Sequence, residues 1–228
     1  MPSSPSKTDP SSTEAREFAH QRHLMVERYV AARGVKDERV LEAMRHVPRH
    51  LFVPPVVASK AYGNSALPIG QQQTISQPWI VARMLELLEL KGGEKVLEVG
   101  TGTGYQAVVL SRLAGKVFSI ERVSDLGIRA AEIVRNLKIA NVSVKIFDGT
   151  YGWSDQAPFD RIIVAAAAPE VPSPLVQQLS RTGKMILPIG AVGAQRLARI
   201  TRAGTGIQIE DCGPAEFVPL LGKFGWKA

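Results

Sequence analysis

Val96-Leu-Glu-Val-Gly-Thr-Gly-Thr-Gly104, followed at once by Tyr105-Gln-Ala-Val-Val-Leu-Ser-Arg-Leu113, decides the fold. The first stretch opens as an apolar, strand-like run and the second has helical patterning, so Gly100, Gly102 and Gly104 fall in a strand-to-helix turn. Lacking a Cβ, glycines let the backbone bend sharply and approach a ligand closely. The next strand-like run, Lys116 to Glu121, closes on an acid about 20 residues beyond the first glycine, where α/β nucleotide sites place the acceptor for ribose hydroxyls. Strand, glycines, helix, strand and acid together point to a nucleotide-like ligand.

Outward from this turn the chain alternates strand-like and helix-like runs. Strands are expected at Lys95–Val99, Lys116–Glu121, Val142–Phe147, Asp160–Ala165 and Lys184–Pro188, with helices near Tyr105–Leu113, Asp125–Leu137 and Pro174–Ser180. That alternation predicts an α/β fold, a doubly wound, mostly parallel sheet. Arg196–Arg202 and Ile207–Glu210, around Ala203-Gly-Thr-Gly206, read as C-terminal antiparallel strands closing the sheet. Before the sheet, Glu14–Arg33 carries apolar residues near helical spacing and stops at Gly34, and Asp37 is placed to cap a second helix that buries Val40, Leu41 and Met44. Leu51–Gln77 is irregular, and loops of that length are usually functional or disordered. Helical spacing resumes from Pro78 up to the Gly92-Gly93 break. The expected organisation is a flexible tail over residues 1–13, N-terminal helices with the irregular stretch over 14–92, and an α/β domain over 93–228.

With 228 residues, 45% of them hydrophobic and 21% charged, the chain can bury one sizeable core. No apolar run approaches the roughly 20 residues of a membrane-spanning helix. A single cysteine, Cys212, excludes an intrachain disulfide, and no secretory cleavage pattern is visible, so a cytoplasmic location is expected. The net charge of +7 is spread along the chain without a dense run or interleaved aromatics, and is read as a bias towards acidic substrates, with no nucleic-acid partner and no membrane.

Two ligands fit the turn. Gly102-Thr-Gly-Tyr-Gln-Ala107 satisfies the dinucleotide pattern of an NAD- or FAD-dependent oxidoreductase. Glu98-x-Gly-x-Gly-x-Gly104 is similar to the motif that opens the S-adenosylmethionine site of Rossmann-like methyltransferases. Three features favour the methyl donor. Glu98 could meet the ammonium group of a methionine moiety but would repel a pyrophosphate at the helix N-terminus. His20, His23, His46 and His50 all precede the sheet, leaving its strand ends without the usual proton-handling residue. Asp148-Gly149 follows the third strand, where a carboxylate could accept from an adenine amino group. Taken singly, each acid reads as a solvated loop residue or helix cap; jointly, at successive strand ends, they favour a shared ligand.

Ala66-Leu-Pro-Ile-Gly-Gln-Gln-Gln-Thr-Ile-Ser-Gln-Pro78 closely resembles the signature loop of protein-L-isoaspartate O-methyltransferases, and Val47-Pro-Arg-His-Leu-Phe-Val-Pro54 resembles the segment preceding it. Asp148-Gly-Thr-Tyr-Gly-Trp153, Ala166-Ala-Ala-Pro169, Leu187-Pro-Ile-Gly190 and Phe217-Val-Pro-Leu220 extend the resemblance from about residue 15 to the end. The resemblance implies methylation of L-isoaspartyl carboxylates in damaged proteins and peptides with S-adenosylmethionine as donor; no metal is expected, and a monomer is the expected state. It assigns Ser76 to catalysis, Thr74, Ile75, Ser76 and Val218 to the bound peptide, and Glu98, Gly100, Thr101, Gly102, Gly104, Glu121, Arg122, Asp148 and Gly149 to the donor. Asn64 stands where the family often has Asp, and Ala165 where Thr or Gly is common.

A carboxylate is ionised near neutral pH, its reference pKa being about 4, so such an acceptor needs no general base. Ser76 would then orient a substrate oxygen; alternatively it caps the helix beginning near Pro78. The nucleic-acid amino-methylating alternative expects an Asp/Asn-Pro-Pro-aromatic tetrapeptide after the fourth strand, and Ala165-Ala-Ala-Ala-Pro-Glu170 carries none. A non-catalytic module that binds the donor without consuming it also fits these residues.

Overall fold

The computed structural model describes residues 10–204 and 206–227. Helix α1 (Pro10–Met25) runs on through a π-helical turn (Val26–Val30) and a 3-10 turn (Ala31–Arg33), and stops where Gly34 takes φ +95°. Residues 10–13, expected in the tail, are therefore helical, and residues 1–9 lie outside the described part. Pro10 suits a helix start, because its missing N–H would find no intrahelical partner there. Asp37 caps α2 (Glu38–His46) as expected, its carboxylate accepting from the Arg39 N–H at 2.9 Å.

The stretch Leu51–Gln77 is more ordered than its composition implies. A 3-10 turn (Pro55–Lys60) precedes an antiparallel hairpin of β1 (Leu67–Gly70) and β2 (Gln73–Ile75). Leu67, Ile69 and Ile75 are buried while Pro68 and Thr74 are exposed, the alternation of a strand with one covered face. Strands this short leave too few repeats to stand out from their Pro, Gly and Gln neighbours. Helix α3 (Pro78–Leu88) follows, with Met84, Leu85 and Leu88 fully buried, each contributing about 1.5–3 kcal/mol.

The sheet domain continues as β3 (Lys95–Val99), α4 (Tyr105–Ser111), β4 (Lys116–Glu121), α5 (Ser124–Asn136), β5 (Val142–Ile146), β6 (Phe159–Val164), α6 (Ser173–Gln178), β7 (Leu179–Ile189), β8 (Arg196–Ala203) and β9 (Gly206–Pro214). The seven strands lie in the order β5-β4-β3-β6-β7-β8-β9, parallel from β5 to β7 and antiparallel beyond. This is the doubly wound α/β sheet with C-terminal antiparallel strands that the alternation predicts. Strand β7 starts five residues before the expected Lys184. Leu179 already pairs with Phe159 across a register shift, which also ends α6 before the expected Ser180.

Alternate residues of the central strands feed two cores. Val96, Val117, Ile163 and Ile186 pack with α3, α4 and α5 and with Val40, Leu41 and Met44 of α2, so the N-terminal helices share a core with the sheet. Leu97, Phe118, Ile162 and Met185 pack on the other face with Leu175 of α6. Strands buried on both faces read as nearly continuous apolar runs, which is why their bounds are so legible.

From β3 the chain steps outward to β4 and β5, then returns to the other side of β3 as β6. That reversal opens a crevice at the carboxyl ends of β3 and β6, where open α/β sheets bind ligands. Gly100 and Ala165 both line it, so close together that a Cβ on Gly100 would lie 3.5 Å from that of Ala165.

Candidate active site

The three turn glycines, Gly100, Gly102 and Gly104, take φ values of +93°, +55° and +85°, a left-handed path that side-chain-bearing residues rarely adopt. The turn is pinned to the end of β4. The Gly100 and Thr101 N–H groups donate to the Ile120 carbonyl at 2.9 and 3.2 Å. Glu121 accepts from the Gly102 N–H at 2.7 Å with one carboxylate oxygen and from the Val123 N–H at 2.8 Å with the other. A carboxylate has about four lone-pair positions, so Glu121 keeps acceptor capacity after both bonds.

A cleft open to solvent lies over this turn. It brings together Thr74, Ile75 and Ser76 from the hairpin side, Gly100, Thr101 and Gly102 from the turn, Glu121 and Arg122 after β4, Gly149 after β5, and Val218 from the C-terminal segment. Gly149 must be glycine, since a Cβ there would stand 2.5 Å from Val99 Cγ1. Val218 reaches the cleft because the C-terminal segment pairs with the loop after β6. The Ala167 N–H donates to the Val218 carbonyl, the Leu220 N–H donates to the Ala167 carbonyl, and buried Gln195 clamps both backbone groups of Phe217.

Three of the expected donor residues lie outside the cleft lining. Gly104 is the N-cap of α4 and packs against Ala130, a turn-forming role. Asp148 caps the short turn Gly149–Tyr151, accepting from the Thr150 N–H and hydroxyl at 2.9 and 2.7 Å, and its other oxygen accepts from the Lys223 N–H at 2.9 Å. It ties the C-terminal segment to the end of β5, beside the crevice.

Glu98 is fully buried beneath the turn. Its Oε2 accepts from the Ser119 hydroxyl, which in turn lies 2.6 Å from the Thr101 hydroxyl. Its Oε1 has no partner among the described residues. Its side chain props the turn from below, because it leaves the sheet on the α4 face beside Ser119 and Gln106. Burial pushes the Glu98 carboxyl up to about 8, reinforced by the nearby Glu121 and opposed by the Ser119 hydrogen bond.

The sign of the resulting pH dependence follows. Between about 4.5 and about 8 the unfolded chain releases this proton while the folded chain keeps it, so the unfolded state binds fewer protons and stability falls as pH rises. In thermal melts of the ligand-free protein, wild type is expected to lose stability relative to Glu98→Gln across that window and to stop losing it above. Parallel curves for the two proteins would refute the assignment.

The expected alternative for Ser76 as a helix cap is not what forms. The N-cap of α3 is Gln77, and no side chain caps the helix. Tyr105 and Gln106 also line the cleft, as do Val81, Ala166 and Leu221. Tyr105 and Gln106 were legible in principle, being the first two residues after the glycines; the other three are brought in by tertiary folding. Among the described residues no three His, Cys, Asp or Glu side chains gather into a group suited to a metal, and no helix is long and apolar enough to cross a membrane.

With its crevice at the switch point of the sheet and the glycine turn beneath it, the chain has the fold of the Rossmann-like methyltransferases. It belongs to the protein-L-isoaspartate(D-aspartate) O-methyltransferase family, whose sequence profile matches residues 20–225. The protein-L-isoaspartate O-methyltransferase of Geobacter metallireducens is 50% identical over 210 residues, covering 92% of this chain and 97% of the relative. That of Syntrophus aciditrophicus is 49% identical over 212 residues, with the same coverage. Among solved structures, a protein-L-isoaspartate O-methyltransferase superposes with a TM-score of 0.80 at 28% identity, covering 91% of this chain and 67% of that one. A Plasmodium falciparum structure assigned to the same family, in complex with S-adenosyl-L-homocysteine, gives 0.74 at 27% identity, covering 86% and 96%. The oxidoreductase reading of Gly102–Ala107 is thereby set aside.

Proposed function

We propose that this chain methylates the side-chain carboxylate of L-isoaspartyl residues in damaged proteins and peptides, with S-adenosylmethionine as donor. The observation that carries the proposal is the meeting of Thr74, Ile75, Ser76 and Val218 with the glycine turn in one cleft. The cleft also suits an adenosyl ligand: backbone without Cβ atoms at Gly100 and Gly102, acceptor capacity at Glu121, and apolar walls at Val99, Ile120 and Leu221. When bound, S-adenosylmethionine supplies an electrophilic methyl group on a sulfonium.

The chain's own residues then have positional tasks. Glu121 accepts from ribose hydroxyls, Gly149 lets the ligand lie against the end of β5, and Arg122 stands at the exposed rim. Ser76 orients the substrate carboxylate, which is already ionised and needs no base. A lowered-dielectric cleft with fixed dipoles favours joining an anion to a cation, and positioning alone supplies roughly 7–11 kcal/mol in well-oriented reactions.

Paired peptides differing only in Asp versus isoaspartate, incubated with labelled donor, test this function. Label is expected in the isoaspartyl peptide alone, and equal labelling of both, or of neither, would overturn the proposal. The single cysteine is in keeping with a cytoplasmic location, and light scattering in solution tests whether the chain works as a monomer.

A further inference from the structure

Arg49, in the segment that precedes the hairpin, is 0% exposed, and among the described residues it has no carboxylate partner. Burying a guanidinium is costly, and burial here pulls its pKa below the ordinary arginine value. Its Nη2 donates to the Ser76 carbonyl at 2.7 Å and its Nε to the Ala61 carbonyl at 2.9 Å. Its guanidinium stacks over the ring of Tyr105, 4.8 Å from the centroid. One rigid, planar group therefore connects the residue proposed to orient the substrate with the first residue of α4, directly after the donor turn. Arg49 does not itself line the cleft.

We propose that Arg49 is a positioning residue for methyl transfer, holding Ser76 in register with the donor turn through the Ser76 carbonyl and the Tyr105 ring. The task needs a fork: two N–H groups aimed at two carbonyls and a flat face for the ring. Lysine keeps the charge but has neither the fork nor the plane. The inference rests on the Ser76 assignment above, and a double-mutant cycle separates the two.

In the full chain, Arg49→Lys is expected to lower kcat on an isoaspartyl peptide at least tenfold while S-adenosylmethionine affinity, by calorimetry, stays within twofold. In a Ser76→Ala background the same change is expected to lower kcat less than threefold, because the group it positions is gone. Equal losses in both backgrounds, or donor affinity falling together with kcat, would overturn the positioning role and leave the Ser76 assignment standing. Ser76→Ala with undiminished kcat would overturn both. If Arg49→Lys does not fold, Arg49→Gln, which buries no charge and keeps a single donor nitrogen in place of the fork, takes its place in the same cycle under the same criteria.

Discussion

Gly102→Val is expected to abolish S-adenosylmethionine binding, with an affinity loss of at least 100-fold by calorimetry, while circular dichroism shows an intact fold. Gly102 holds φ +55° and donates its N–H to Glu121 at 2.7 Å. A left-handed conformation costs an ordinary L-residue roughly 1–2 kcal/mol, and a β-branched one is a genuine outlier there. Relaxing that strain would rotate the N–H away from Glu121 and disturb the carboxylate proposed to hold the ribose. A bare Cβ would meet only Ile69 Cδ1, at 3.8 Å, an ordinary contact, so the damage comes from the backbone conformation and not from a clash with the fold. The loss is thus local to the ligand site, and affinity retained within about fivefold would refute the turn's assignment.

Ser76→Ala is expected to lower kcat on an isoaspartyl peptide by roughly 100-fold, with donor affinity and melting temperature nearly unchanged. If the hydroxyl capped α3, its loss would cost about 1 kcal/mol of stability, but Gln77 holds the cap position and no side chain caps the helix. What the substitution removes is the hydroxyl proposed to orient the substrate, on a residue that lines the cleft, so the loss is expected to fall on turnover. Equal falls in kcat and donor affinity, or a lowered melting temperature with kcat intact, would make Ser76 structural.

The glycine turn and its flanking strands were legible for a simple reason. β3 and β4 begin and end where the apolar runs do, because both faces are covered and left-handed positions select glycine. Glu121 was legible too, as the acid closing the second strand. Glu98 shows where such reading stops. Its place in the motif suggests a ligand contact, yet strand alternation sends its side chain under the turn towards Ser119 and Gln106. Asp148 similarly spends its carboxylate on Thr150 and on Lys223, a partner 75 positions further on.

Local spacing by itself determined the doubly wound order of elements, the strand-to-helix turn and its positive-φ glycines, since these depend on residues within a few positions of one another. Only the tertiary structure decided which residues meet over that turn. Ser76 is held by Arg49 from a separate segment, and Val218 is brought in by the loop after β6. Those long-range contacts depend on backbone hydrogen bonds and burial, which leave no periodic trace in the chain.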